Sequence, residues 1–212
     1  MVSAMNPCGK NASGGIVINA YSVAPKRLLA DARALRNALK KPIPEKQFGH
    51  WEIDLITGPT NSCAALLTLV ERKTRKLIAR KLPDKTNKSV LRILNSIERN
   101  CGSRAFRKQF QSITADNGSE FLNVDDLQSS LLSNQQRTIF FYAHPYSSWE
   151  RGSNENANKI IRRFIAKGRK MEDFTRSTIS TIEDWINNYP RKILNFKSAH
   201  DLFQHELQKG AA

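Results

Sequence analysis

Three acidic residues lie at positions where a carboxylate could do chemistry. Asp54 lies inside the apolar stretch WEIDLI, Asp116 follows the stretch SITA and enters an Asn-Gly pair, and Glu155 lies in the first turn of a predicted helix. Desolvating a carboxylate is unfavourable unless a positive group compensates for the lost water. A divalent cation such as Mg²⁺ or Mn²⁺, which prefers oxygen ligands and often binds substrate phosphate as well, is one such group.

Each of these carboxylates also has a structural explanation. An Asp in a strand is often a solvated edge residue, the sequence D-N-G suits a turn on local chemistry alone, and a Glu in the first turn of a helix interacts favourably with the helix dipole. Taken singly, the structural explanations are the commoner ones. No single carboxylate therefore establishes a catalytic site.

The predicted helix that contains Glu155 adds a basic stripe to the carboxylate. At 100° per residue, one face carries Glu155, Asn158, Lys159 and Arg162, and the opposite face is apolar. Lys159 and Arg162 are candidate phosphate contacts, although a Glu and a Lys four residues apart also form an ordinary pair on a helix surface. The full set of candidate nucleic-acid contacts is Arg151, Lys159, Arg162, Arg163 and Lys167.

The overall charge points to a polyanionic partner. The chain has 34 Lys and Arg against 19 Asp and Glu, so its net charge is 34 − 19 = +15. Such a charge favours DNA or RNA over an anionic membrane surface. No stretch approaches the roughly 18 apolar residues of a membrane span. The N-terminus lacks the apolar core of a secretory signal, and the three cysteines form no C-x-x-C motif, so we expect a cytoplasmic protein with no membrane partner.

Hydrophobic periodicity predicts the elements that must position these residues. Alternation in the first strand places Ile53 and Leu55 on one face and Glu52, Asp54 and Ile56 on the other. Short links join the first three strands as an antiparallel meander, and Thr86 is the candidate N-cap of the first core helix. The predicted strands are 51–56, 64–70, 76–82, 112–115 and 137–143, and the predicted helices are 86–99, 124–132, 153–167, 175–188 and 198–207. This order is compatible with a mixed sheet flanked by helices.

Four sequence motifs follow one another along the chain. They are GHWEID at 49–54, ALLTLVERKTRK at 65–76, TADNGSEF at 114–121 and YAHPYSSWERGSNENANKIIRRFIAKG at 142–168. Together they resemble the catalytic half of bacterial insertion-sequence transposases, in the family of insertion sequence thirty. The tail INNYPRKILNFKSAHDLF at 186–203 is similar to the C-terminal segment of that family, so the resemblance covers about residues 43–207.

The resemblance implies a fold, a reaction and a set of catalytic residues. The fold is α/β, a ribonuclease H-like mixed five-stranded sheet flanked by helices, with extra C-terminal helices. The implied catalytic and metal-binding triad is Asp54, Asp116 and Glu155, with Glu150 as a competitor that the N-E-N motif disfavours. It would hold two Mg²⁺ or Mn²⁺ ions for cleavage and strand transfer of double-stranded DNA by a homo-oligomer. The segment between Asp116 and Glu155 is longer than in the shortest family members, with its extra residues around 129–136.

The N-terminal region departs from the family pattern. Family members usually have a helix-turn-helix region before the core, whereas residues 1–45 contain one convincing helix, at about 28–40. We therefore expect a truncated or remodelled N-terminal region at 1–45, a catalytic core at 46–207 and a disordered tail at 208–212. Two alternatives to an active transposase stay open. One is a non-catalytic DNA-binding remnant that inhibits the full-length enzyme, and the other is a ribonuclease H-like nuclease.

Overall fold

The computed structural model describes residues 47–143 and 152–209. The strands are β1 (His50–Thr57), β2 (Ala65–Glu71), β3 (Leu77–Leu82), β4 (Ser112–Ala115) and β5 (Ile139–Tyr142). The helices are α1 (Asn87–Cys101), α2 (Ser103–Gln109), α3 (Val124–Gln128), α4 (Gly152–Ile161), α5 (Arg176–Asn188) and α6 (Ala199–Lys209). The predicted N-terminal region at 1–45, with its helix, and the loop at 144–151 lie outside the described residues.

The five strands form one mixed sheet in the order β3-β2-β1-β4-β5. The predicted antiparallel meander is confirmed, because β2 pairs antiparallel with both β1 and β3. β4 pairs parallel with β1 and with β5. The central strand of the sheet is therefore β1, which is antiparallel to one neighbour and parallel to the other.

The alternation of β1 separates two hydrophobic cores. Trp51 and Ile53 are fully buried in a core that includes residues of α1 and α2. Ile56 faces the other core, which contains Ala157 and Ile161 of α4. The predicted division of the strand into two faces is confirmed, and it places Glu52 and Asp54 on the side of α4 because successive strand residues point to opposite faces.

The first core is held by a capped helix and a stack of aromatic rings. The predicted N-cap is confirmed, because the Thr86 hydroxyl accepts a hydrogen bond of 3.3 Å from the amide of Ser89. The short helix α2 was not predicted. It supplies Phe106, whose ring lies 4.4 Å from Phe110, and Phe110 in turn stacks on Trp51 with ring centroids 4.5 Å apart.

A buried ion pair fastens this side of the sheet. Glu98 of α1 and Arg137, which precedes β5, are both fully buried, with 3.3 Å between Glu98 Oε2 and Arg137 Nη1. Glu98 also accepts hydrogen bonds from the Ser130 hydroxyl and from the amide of Leu131 at 3.0 Å. Both partners lie in the predicted extra segment at 129–136, which is closed by an isolated bridge between its first and last residues.

Several predicted boundaries are wrong. The helix predicted at 124–132 ends at Gln128, and the helix predicted at 153–167 ends at Ile161, where the backbone turns to bonds from residue i to residue i−3. Trp185 lies among the apolar positions of α5, yet it is 43% exposed and stacks on Tyr189. The predicted disordered tail at 208–212 is also wrong in part, because residues 208 and 209 belong to α6. No helix among the described residues is long and apolar enough to cross a bilayer.

Candidate active site

Asp54 is a half-buried carboxylate on β1 that contacts α4 directly. Its Oδ1 accepts a hydrogen bond of 2.9 Å from the amide of Leu55, and its Oδ2 accepts one of 2.8 Å from Nδ2 of Asn158. Both carboxylate oxygens therefore have defined partners. These contacts fix the orientation of the side chain, as outer hydrogen bonds do around metal-binding carboxylates.

Asp116 lies immediately after β4 and is half-buried. Its Oδ1 accepts a hydrogen bond of 3.0 Å from the amide of Gly118, so the predicted turn chemistry of D-N-G is present. A Cβ at position 118 would lie 2.9 Å from that same oxygen and 2.7 Å from Oε1 of Glu120. The φ of −62° at this position is accessible to any residue. A larger residue here would therefore act by displacing the Asp116 and Glu120 side chains and not by straining the backbone.

The parallel pairing of β1 with β4 places the two aspartates at one level of the sheet. Trp51 pairs with Ile113, and Glu52 pairs with Thr114. Continuing this register by two residues brings Asp54 level with Asp116, just past the end of β4. Residues opposite each other on neighbouring strands point to the same face. Both carboxylates therefore belong to the face that α4 covers.

Glu155 lies in the first turn of α4 with an exposed side chain. Asn158, three residues later, contacts Asp54, and residues three apart share a helix face. Glu155 is therefore one turn away from the point where α4 contacts the strand carboxylate. Its competitor Glu150 lies outside the described residues. Within 47–143 and 152–209, no three His, Cys, Asp or Glu side chains form a group that could hold a metal ion.

The chemistry of the donors fits a hard divalent cation. Mg²⁺ is usually bound by one or two carboxylates, with water and substrate phosphate completing its oxygen ligands. Asp54 and Asp116 offer two carboxylates at one level of neighbouring strands, and Glu155 offers a third that the solvent can reach. A site that is completed by substrate does not need all three carboxylates to be gathered beforehand.

The basic residues near Glu155 differ in their solvent exposure and in their hydrogen bonds. Lys159, Arg163 and Lys167 are exposed. Arg162 is half-buried, and its Nη2 donates a hydrogen bond of 3.2 Å to the carbonyl of Thr57 at the end of β1. Its Nη1 is buried and has no hydrogen-bond partner among the described residues. Arg151, also predicted as a nucleic-acid contact, lies outside them.

Sequence reasoning missed the role of Glu52. This side chain is fully buried two residues before Asp54, and its Oε2 accepts a hydrogen bond of 2.8 Å from the amide of Asn154, the residue before Glu155. Its Oε1 lies 3.2 Å from Nε of Arg72. Burial raises the pKa of Glu52, and the Asn154 amide and Arg72 oppose that rise. A signal was present, because the alternation placed Glu52 on the same face as Asp54.

Comparison with known proteins identifies the domain. A family model for the integrase core domain matches residues 44–141, which include Asp54 and Asp116. The chain is 33% identical over 202 residues to the transposase for insertion sequence element IS4351 of Bacteroides fragilis, covering 95% of this chain and 55% of that protein. It is 33% identical over 159 residues to transposase InsI for insertion sequence element IS30C of Escherichia coli K12, covering 75% of this chain and 39% of that protein.

A probable transposase for insertion-like sequence element IS1161 of Streptococcus salivarius is 37% identical over 163 residues, covering 74% of this chain and 42% of that protein. The chain thus spans about half the length, or less, of these curated relatives. Among solved structures, the catalytic core domain of BIV integrase matches with a TM-score of 0.58 and 14% identity, covering 78% of this chain and all of that one. The predicted family resemblance and the predicted ribonuclease H-like fold are confirmed.

Proposed function

This chain carries an integrase core domain and is a relative of bacterial insertion-sequence transposases, and we propose that it is the catalytic core of a DNA transposase. Its reaction is metal-dependent cleavage of a DNA strand, followed by attack of the freed 3′-hydroxyl on target DNA. Both steps transfer a phosphodiester from one oxygen to another, so no covalent bond to the protein is needed. The proposed partner is double-stranded DNA, at element ends and at a target.

The roles of the residues follow from their placement. Asp54, Asp116 and Glu155 are the proposed ligands of two Mg²⁺ or Mn²⁺ ions. When bound, such ions lower the pKa of the attacking hydroxyl and stabilise the leaving oxygen. Asn158 orients Asp54 through its amide. The exposed Lys159, Arg163 and Lys167 lie beside the site, where they would offset phosphate charge and give affinity without reading sequence. Arg151 and Arg162 complete the proposed contact set.

One observation carries this proposal beyond the family resemblance. The register of β1 and β4 places Asp54 level with Asp116, and the hydrogen bond from Asn158 to Asp54 brings the helix of Glu155 to the same place. These three segments are far apart in the sequence, and each brings one proposed ligand to this part of the sheet. Convergence of this kind is expected of a catalytic site.

The test is a nicking and strand-transfer assay on a supercoiled plasmid. The chain and its Asp116→Asn variant are compared with Mg²⁺, with Mn²⁺ and with EDTA. We expect nicking that requires metal and is lost in the variant, while the circular dichroism spectrum and thermal midpoint of the variant match those of the parent. The Asn side chain keeps the oxygen that accepts the Gly118 amide, so the turn is preserved and the loss reports on chemistry.

Other outcomes would support the alternatives. DNA binding without nicking in either protein would overturn the proposal in favour of a non-catalytic DNA-binding remnant. Metal-dependent cleavage of RNA–DNA hybrids in preference to plasmid DNA would favour a ribonuclease H-like nuclease. We further propose that the chain works as a homo-oligomer on two DNA ends in the bacterial cytoplasm, associated with the nucleoid. Sedimentation with and without DNA tests the oligomeric state.

A further inference from the structure

A buried polar network connects β1, the turn between β2 and β3, and the first turn of α4. The structure assigns to Glu52, Arg72 and Arg75 a positioning role: they fix the first turn of α4, and with it Glu155, against the strand that carries Asp54. This inference rests on the proposed function for its effect on catalysis. It also accounts for two sequence motifs, GHWEID and ERKTRK, of which the proposed triad uses only Asp54.

Glu52 connects the strand to the helix. A helix leaves its first amides without partners inside the helix, and its N-terminus carries a partial positive charge. The Glu52 carboxylate satisfies one of those amides, that of Asn154, at 2.8 Å across 102 residues of sequence. Glu52, Ser153 and Asn154 are all buried. The carboxylate therefore holds α4 directly before Glu155.

The turn after β2 supplies two arginines to the same point. Nε of Arg72 lies 3.2 Å from Oε1 of Glu52, and the Arg75 guanidinium donates a hydrogen bond to the Ser153 hydroxyl. Arg75 has a φ of +63°, a left-handed conformation that a non-glycine residue adopts at an energetic cost. Arg75 thus contacts the start of α4 directly, and Arg72 lies beside the carboxylate that binds it.

The turn is itself fixed by a second buried carboxylate. Glu71 accepts hydrogen bonds from the amide of Thr74 at 2.6 Å, from the Thr74 hydroxyl at 2.7 Å and from the amide of Gly49 at 3.0 Å. The amide of Arg72 donates to the carbonyl of His50 at 2.9 Å. The arginines thus extend from a turn that is anchored to the start of β1, so the network is rigid at its base.

Polar and apolar contacts hold different parts of α4. Ala157 and Ile161 hold its middle and end in the second hydrophobic core. The first turn, which includes Glu155, is held by polar contacts to Ser153 and Asn154. A change that removes those contacts should therefore move Glu155 without removing the helix from the core. Loss of such an outer contact typically lowers activity about 10- to 100-fold.

The experiment compares four variants of the full chain with the parent. Glu52→Ala removes the acceptor of the Asn154 amide, and Glu52→Gln keeps an oxygen for it. Arg75→Ala and Ser153→Ala each remove the hydrogen bond between the Arg75 guanidinium and the Ser153 hydroxyl. The matched control is Arg80→Ala, which breaks the ion pair of β3 with Glu183 of α5, away from the start of α4. Measurements are the plasmid-nicking rate, the KM for DNA, the thermal midpoint and hydrogen exchange of the amides at 153–156.

We expect Glu52→Ala to lower the nicking rate about 100-fold and Arg75→Ala and Ser153→Ala about 10-fold. The KM should stay close to that of the parent, and exchange should accelerate at 153–156. The thermal midpoint should stay close to the parental value in Ser153→Ala, whereas Glu52→Ala should lower it because it removes the buried carboxylate beside Arg72. The rates are therefore compared per folded molecule. Glu52→Gln should recover part of the rate. Arg80→Ala should leave the rate and this exchange unchanged. A nicking rate that falls only in proportion to the unfolded fraction would overturn the positioning role. Parental rates in Glu52→Ala, Arg75→Ala and Ser153→Ala would overturn it as well.

The two proposals can fail separately. If Glu52→Ala does not fold, Ser153→Ala still tests the positioning role, because it removes only a single hydroxyl. If the parent chain does not nick DNA, the proposed function fails, and exchange at 153–156 still tests the network. Faster exchange there in Ser153→Ala and Arg75→Ala would support the network, and parental exchange in both would overturn it.

Discussion

Glu98 and Glu52 are both fully buried, and each faces an arginine, on opposite faces of the same sheet. The two oxygens of Glu98 are bound by a hydroxyl, a backbone amide and a guanidinium, all of which belong to the packing of α1 against the segment before β5. The partners of Glu52 belong to other elements. One of its oxygens binds the amide that precedes Glu155, and the other lies beside Arg72.

The difference shows that burial of an ion pair does not by itself indicate function. Both carboxylates are desolvated, and removing one member of either pair would leave a charge without compensation. What separates them is the element that each one holds. Glu98 holds a loop that contains no proposed site residue, whereas Glu52 holds the turn of Glu155. We therefore expect changes at Glu98 to lower stability and changes near Glu52 to lower the rate.

The largest effect is expected at Glu155 itself, on the site side of this comparison. Glu155→Gln should abolish nicking, because it removes a proposed metal ligand, and it should leave the thermal midpoint unchanged, because the side chain is exposed. Glu150→Gln is the matched control and should have only a modest effect. A plasmid assay of both variants checks this. An inactive Glu150→Gln protein beside an active Glu155→Gln protein would transfer the role to Glu150.

The second-largest effect is expected at Glu98, on the face of the sheet away from the proposed site. Glu98→Ala should lower the free energy of unfolding by about 3–5 kcal/mol, because it leaves Arg137 buried and unpaired. Denaturation in urea measures this loss. The nicking rate per folded molecule should stay at the parental value, in contrast to the Glu52 variants. A lower rate per folded molecule would show that the two sides of the sheet are coupled, and the proposed division would be wrong.

A smaller effect concerns DNA affinity on the site side. Lys159→Ala should reduce the slope of log K against log salt by about 0.9, the value for one phosphate contact on duplex DNA. Arg162→Ala should also reduce it, but by less, because half of its guanidinium already donates to the carbonyl of Thr57. Titration of a fluorescent duplex at several salt concentrations measures both slopes. Parental slopes in both variants would remove these residues from the contact set.

The smallest effect is expected at a third carboxylate, that of the exposed Glu172. Hydrogen bonds from the amide of Ala64 and from the Ser62 hydroxyl lower the pKa of Glu172 to about 2. Because this pKa lies below the ordinary value of 4.5, the ionised group stabilises the fold above pH 4.5, and the contribution is lost as the pH falls toward 2. Glu172→Gln should therefore lower the thermal midpoint at pH 7 but not near pH 2. A difference that is constant with pH would contradict this cause.

The regular elements were predictable because local chemistry and tertiary packing agree there. The alternation of β1 and the Thr86 cap are both found in the structure. The end of α4 was not predictable from periodicity, because the apolar pattern continues beyond Ile161 to Ile165, which also lies in the second core. Helix α2 is short and mostly polar, and its only apolar signal is Phe106 with Phe110.

The candidate site was predictable in its residue types and only partly in its geometry. The placement of Asp54 and Asp116 at one level depends on a parallel strand register that no local pattern specifies. Asn158 was assigned to the polar face of its helix, but its contact with Asp54 requires the structure. Glu52 was visible as a strand residue, yet its partner amide lies 102 residues away.

That same separation sets the order in which the protein can become active during synthesis. A ribosome delivers the N-terminal segments first, so a growing chain contains Asp54 and Asp116 long before Glu155 and the amide that Glu52 holds. Contacts between distant segments also form late in folding, since closing a long loop must precede them. An unfinished chain can therefore bury much of its first core, apart from the contacts of Phe203 in α6, without completing the centre. Under the proposed function, a nascent chain would not cleave the chromosome beside which it is made until α4 has been made and has docked.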